Sequence, residues 1–173
     1  YSVTLYEKVK TAFPDLRQGT PMVEDVLAHF HYYYPEIELP EKAFACVTGV
    51  VVEVPPVQII DNQLVISLDW YLDDDEVYDR IGMPRYISLR TGLPTLAKDG
   101  AKELYMNYIY DWRKQGQVID EMVYCGRLDY FIEAMCPNLP DSVLLGYSTH
   151  QWRWAVENEG AMWADIVGNK RLY

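Results

Sequence analysis

The chain has 173 residues, half of them apolar or aromatic, with a formal net charge of −11 and a pI near 4.6. That is the size of one domain with enough apolar mass for a core, which excludes a disordered tail. The acidic excess argues against nucleic-acid backbones and anionic membrane surfaces as partners, and no apolar run of about eighteen residues encodes a membrane span.

Val3, Tyr6, Val9, Ala12 and Phe13 form a stripe that predicts a helix from Tyr1 to Phe13, ended by Pro14. Thr20 followed by Pro21 reads as an N-cap with proline at the first helical position. Met22, Val23, Val26, Leu27, Phe30 and Tyr33–Tyr34 then keep a helical period up to Pro35. Phe44–Val54, rich in β-branched residues, reads as a strand broken by Pro55–Pro56. Val57–Ile60 continues the sheet, Asp61–Asn62 makes a turn, and Leu64–Trp70 is a second clear strand. The two clear strands look like a meander, for which antiparallel pairing is expected.

An acidic segment follows, from Asp69 through Asp73, Asp74, Asp75 and Glu76 to Asp79. Leu96–Trp112 reads as a helix, Gly116 as a break and Gln117–Cys136 as a long helix stopped by Pro137 and Pro140. Ser148 with Gln151 three residues on reads as a capping box for a last helix over Thr149–Val167, ending near Gly168. Helices, a small sheet, then mostly helices is an α+β order: a mostly helical single domain over 1–173 with a small antiparallel or mixed sheet.

One stretch carries a chemical signature. Asp120-Glu121-Met122-Val123-Tyr124 has the spacing of the H-E-x-x-H zinc helix, where ligands four residues apart share a face and the glutamate serves the bound water as base. Here both ligand positions are changed, to Asp120 and Tyr124, and only the base position remains as Glu121. The plain alternative is an amphipathic helix with solvated acids. Glu157 and Glu159 on the following long helix stand where a downstream acidic ligand could come from; a charged helix surface is the bland reading.

His29, His31 and His150 show no shared face. The Asp73–Glu76 run lacks EF-hand spacing and reads first as a helix cap, with a calcium site from Asp69, Asp73 and Asp75 as the lesser reading. Cys46, Cys125 and Cys136 form no C-x-x-C pair and read as buried free thiols, Cys125 in mid-helix. There is no P-loop, G-x-G-x-x-G or G-x-S-x-G. No cofactor and no metal is expected. The 15 tyrosines and 5 tryptophans read as a tyrosine-rich core edge, with an exposed interaction face as the competitor.

Five segments together resemble the GldB gliding-motility lipoprotein family: H-Y-Y-Y-P-E-I-E-L-P at 31–40, V-I-S-L-D-W-Y-L at 65–72, M-P-R-Y-I at 83–87, G-R-L-D-Y-F-I-E-A-M-C-P at 126–137 and L-G-Y-S-T-H-Q-W-R-W-A-V-E-N-E-G-A-M-W at 145–163. Their order and spacing match over about residues 13 to 173. The resemblance implies a lipid-anchored protein of the cell envelope, facing the periplasm or the cell exterior, in the Bacteroides–Flavobacterium group. It also implies a zincin-like scaffold related to predicted zinc-dependent proteases. By position, the first histidine of the relatives' helix falls on Asp120, the base on Glu121, the second histidine on Tyr124 and the downstream acid on Glu157 or Glu159. The family usually continues past the L-Y end and carries a lipidated cysteine, so the chain is expected to lack the signal and lipidation segment and a C-terminal portion.

The function implied is a non-catalytic envelope lipoprotein, acting on other envelope or secretion and motility proteins and touching a membrane only through an N-terminal lipid anchor absent from this chain. Two alternatives stand beside it. One is a metal-dependent, peptidase-like hydrolase in which Asp120, Glu121 and Glu159 converge on an ion. The other is a peptide- or polysaccharide-binding module using exposed Tyr and Trp side chains.

Overall fold

The computed structural model describes residues 2–88, 90–111 and 118–171. Tyr1, Trp112, Gly116 and Gln117, where the expected limits of several elements fall, lie outside the described residues. The helices are α1 (Ser2–Ala12), α2 (Thr20–Tyr33), α3 (Asp75–Arg80), α4 (Arg85–Ser88), α5 (Leu96–Leu104), α6 (Val118–Met135), α7 (Asp141–Leu144) and α8 (Thr149–Gly168). The strands are β1 (Lys42–Cys46), β2 (Val57–Ile60) and β3 (Gln63–Ser67).

Local chemistry accounts for most of these limits. Pro14 and Pro35 follow the ends of α1 and α2. Asp74 caps α3 by accepting the Val77 N–H at 3.2 Å. Ser148 and Gln151 form the reciprocal capping box that opens α8. Thr20 departs from its expected role as a cap. Gly19, in helical φ/ψ, precedes the first helical residue, and the Thr20 hydroxyl donates to the Leu16 carbonyl at 3.0 Å. The chain is already turning there, since the Gly19 and Thr20 amides both bond Leu16 O. Thr20 therefore lies inside the helix and bonds back along it.

The sheet is mixed, in the order β1-β3-β2. β2 and β3 form an antiparallel hairpin over Asp61 and Asn62, whose φ values of 49° and 58° are those a two-residue hairpin turn requires. β1 runs parallel to β3, with Lys42 opposite Gln63 and Cys46 opposite Ser67, where an antiparallel meander was expected.

The expected strand over Phe44–Val54 also stops early, at Cys46, and Asp69 is the reason. This carboxylate is fully buried. It accepts the backbone N–H of Thr48 (3.2 Å), Gly49 (2.7 Å) and Val50 (2.7 Å). Curling three consecutive amides around one anion takes Gly49 to φ 89° and Val50 to φ 55°, which ends any extended strand. The chain then travels to the far side of β3 before pairing again as β2.

Buried side chains gather in two packed groups. Leu5, Val57, Leu64, Trp70, Tyr71, Tyr78 and Leu96 lie in one, around the sheet. Val26, Phe30, Leu104, Tyr105, Phe131, Ile132 and Met135 lie in the other, among α2, α5 and α6. Ile59 of β2 packs against both. On the outer side of β2, Glu103 of α5 accepts the Ile59 N–H at 2.8 Å. α8 stands apart: it packs against α7, and none of its residues is buried.

Candidate functional site

The helical turn that carries Asp120, Glu121 and Tyr124 borders a concavity. After Leu104 the helix widens into a π-helical turn over Tyr105–Ile109, closed by a Tyr110 N–H to Tyr105 O bond of 2.8 Å. Such turns insert one residue and re-aim the side chains that follow. Here Tyr110 swings toward α6. Its ring lies 4.7 Å from that of Tyr124 and 6.4 Å from that of Tyr105, and Tyr105 and Tyr124 are 6.1 Å apart. These rings wall a cavity of about 260 Å³ that is completed by Ile109, Asp111, Asp120, Glu121, Val123 and Arg127.

Asp120 and Glu121 are exposed at this cleft, while Tyr124 is half-buried. The Tyr124 hydroxyl donates to the Met106 sulfur at 2.9 Å. Burial raises the Tyr124 phenol above its ordinary value, and the neighbouring Tyr110, Tyr105, Cys125 and Glu121 add to the effect. The residue at the second ligand position is thus built into an aromatic wall as a neutral phenol.

Glu157 and Glu159 are exposed on α8 and do not line this cleft. Asp120, Glu121 and Tyr124 come together; the two downstream glutamates do not join them there. Among the described residues no three His, Cys, Asp or Glu side chains are grouped to hold a metal ion. Of the acids read as a lesser calcium site, Asp69 points inward to its three amides, while Asp73 and Asp75 are exposed. His29 bonds the Asp25 carbonyl one turn back along α2 at 2.8 Å, and His31 and His150 are exposed.

The cysteines are free, and Cys125 is exposed rather than buried as expected. It lies on the N-terminal half of α6, where Ile119, Met122 and Val123 are exposed too. Cys136, just beyond the other end of α6, is buried, and burial pushes its thiol up to about 12.

Sequence reasoning missed Tyr105, Ile109, Tyr110, Asp111 and Arg127 as neighbours of Glu121. The only signal was the tyrosine spacing at 105, 108 and 110, which a regular helix over the whole stretch disguises. It also missed a half-buried acid, Asp99 of α5. Burial raises the Asp99 carboxyl to about 6, offset in part by the Tyr71 hydroxyl, which donates to it at 2.9 Å.

A family model described as gliding motility protein GldB matches residues 1–173. No curated protein and no solved structure matches the chain.

Proposed function

We infer that this chain, which belongs to the gliding motility protein GldB family, acts by binding other proteins of the cell envelope rather than by catalysis. The observation that carries this reading is α8. Over 20 residues it buries none fully, with Trp152, Ala155, Asn158 and Ile166 only half-buried, and leaves Trp154, Val156, Trp163 and Val167 each more than half exposed. Tryptophan-rich exposed surface is the composition of interaction hot spots. The family is one of gliding-motility lipoproteins, and a lipid anchor would hold α8 close to the envelope proteins of the secretion and motility machinery, on the periplasmic or outer face. No helix among the described residues is long and apolar enough to cross a membrane.

The scaffold we read as a degenerate zincin-like one. Its support is Tyr124, whose ring is committed to Tyr105 and Tyr110 and whose hydroxyl bonds Met106. Glu121 keeps the base position without the paired ligands that would set a water beside it. A second reading, a peptide- or polysaccharide-binding module, draws on the same cleft, where tyrosine rings lie beside the carboxylates of Asp111, Asp120 and Glu121.

Photoreactive residues placed at Trp163 and, as control, at Glu36 test the interaction reading in intact cells. Discrete protein adducts from position 163 alone are expected, and they disappear when Trp154 and Val156 are both replaced by serine. Stoichiometric zinc in the purified protein, together with peptide cleavage lost in Glu121→Gln, would overturn it in favour of a hydrolase.

A further inference from the structure

The two edges of the sheet are treated differently. The β2 edge is covered by α5, with Glu103 taking the Ile59 N–H. β1, the opposite edge, pairs only with β3, and Lys42 to Ala45 are exposed. No hydrogen bond from the backbone of β1 to anything but β3 is found among the described residues.

A groove of about 370 Å³ runs along this open edge. Its lining takes six consecutive residues, 40 to 45, from one side. A strand that turned only one face to a groove would contribute alternate residues, so the groove follows the edge of β1 as well as its inner face. That inner face is hollow for a reason in the sequence. Ala43 lies beside Leu64, and Ala45 beside Ile66, in the parallel register. The two small side chains leave open the space between β1 and the apolar wall made by Val23 and Leu27 of α2, Phe13 and Leu96. Glu24, Glu41 and Lys42 are the charged residues among the described lining, on a chain of net charge −11.

We propose that this groove docks an extended segment of another polypeptide, which adds to β1 as a new edge strand. The open edge offers backbone donors and acceptors at the spacing of a strand. The hollow over Ala43 and Ala45 takes two apolar side chains, which on an extended segment stand two residues and about 7 Å apart. Glu24 and Glu41 select a segment that carries lysine or arginine beside those residues. The site shares no residue with the cleft at Glu121 or with α8, so it stands whether or not the reading of α8 holds.

The test is a display library of ten-residue peptides with valine, isoleucine or leucine fixed at two positions two apart and all others random, selected on the purified domain. Enriched peptides are expected to be basic at the flanks. Methylating alternate backbone amides of the best peptide should weaken binding to the unaltered protein about tenfold or more, which needs no protein variant to fold. Ala43→Leu and Ala45→Leu, which fill the hollow from an exposed strand, should weaken it similarly, with the unfolding midpoint kept as a check on folding. Glu24→Lys combined with Glu41→Lys should shift the selection to acidic flanks. No saturable enrichment, indifference to backbone methylation, or binding unchanged in Ala45→Leu overturns the proposal. So does a concentration-dependent dimer that Ala43→Leu abolishes, because a second copy of the chain would then fill the groove.

Discussion

α6 and α8 are both long helices, of 18 and 20 residues, written in a similar mixture of apolar, acidic and aromatic residues. They end in different surroundings. The C-terminal half of α6 buries Phe131, Ile132 and Met135, with the Phe131 ring 6.0 Å from Phe30 of α2 and 5.1 Å from Tyr105. α8 leaves Trp154 and Trp163 in solvent. A helical pattern therefore makes the helix, while neighbours decide whether its apolar side is covered. α6 depends on α2 and α5 for its place. Beyond its contact with α7, α8 relies on its own length and on local bonds: the capping box at Ser148, Asn158 to the Trp154 carbonyl at 2.8 Å, and Arg171 with Asn169 on Asp165.

The contrast breaks most easily in the interior. Ile132→Ala, at a residue 1 % exposed, should lower the unfolding free energy by about 2–5 kcal/mol through lost burial and the cavity left behind. Trp163→Ala removes a larger side chain, yet should change stability by less than about 0.5 kcal/mol. Urea unfolding of the two variants measures both. Equal losses would mean that α8 is packed as firmly as α6.

Next in size is the inner carboxylate. Asp69→Ala would strand the N–H groups of Thr48, Gly49 and Val50 and release Val50 from its φ of 55° with nothing to hold it. A loss of about 3 kcal/mol is expected. Amide exchange at Gly49 and Val50 should quicken first. A variant within about 1 kcal/mol of the parent, the net worth of one hydrogen bond, would show that water replaces the carboxylate without consequence.

These two regions also mark how far residues alone could carry the structure. Ends written in proline, or in Ser148 with Gln151, act within one turn, and they were legible. The α+β order and the grouping of Asp120, Glu121 and Tyr124 on one turn of helix follow from spacing in the same way. The parallel pairing of β1 was not legible, because it depends on Asp69 gathering amides 19 to 21 residues before it in the chain. Tyr110 was not legible as a neighbour of Tyr124, because the π-helical turn that aims it has no local signature in Y-M-N-Y-I. Glu157 and Glu159 sit on a correctly placed helix, but where that helix packs is set by α7, a four-residue helix whose contacts no periodicity announces.

The interior should also show itself through pH. In the folded chain the Asp99 carboxyl is raised from 3.8 to about 6, chiefly by burial. Between those values the folded chain keeps a proton that the unfolded chain has released. Stability from this group is therefore full below about pH 4 and falls as pH rises through about 6. Asp99→Asn should flatten that part of the profile and gain about 1 kcal/mol over the parent at pH 7.5, with no gain at pH 4. Tyr71→Phe should push the loss to higher pH, since the phenol that helps hold the charge is gone. Chemical unfolding across pH 4–8 reads both, and a parallel offset at every pH would assign the effect to packing instead.

The smallest global effect is expected where the local one is clearest. Ser148→Ala removes the hydroxyl that accepts the Gln151 N–H at 3.2 Å, and with it half of the reciprocal pair. An N-cap of this kind is worth about 1 kcal/mol to its helix. α8 buries no residue, so little of that loss should reach the core. The urea midpoint should stay put while amides in the first two turns of α8 exchange about fivefold faster, as local fraying rather than global opening sets their rate. A shift of the midpoint by the full amount would join α8 to the cooperative unit of α6, and the difference between the two helices would then lie in solvent exposure alone.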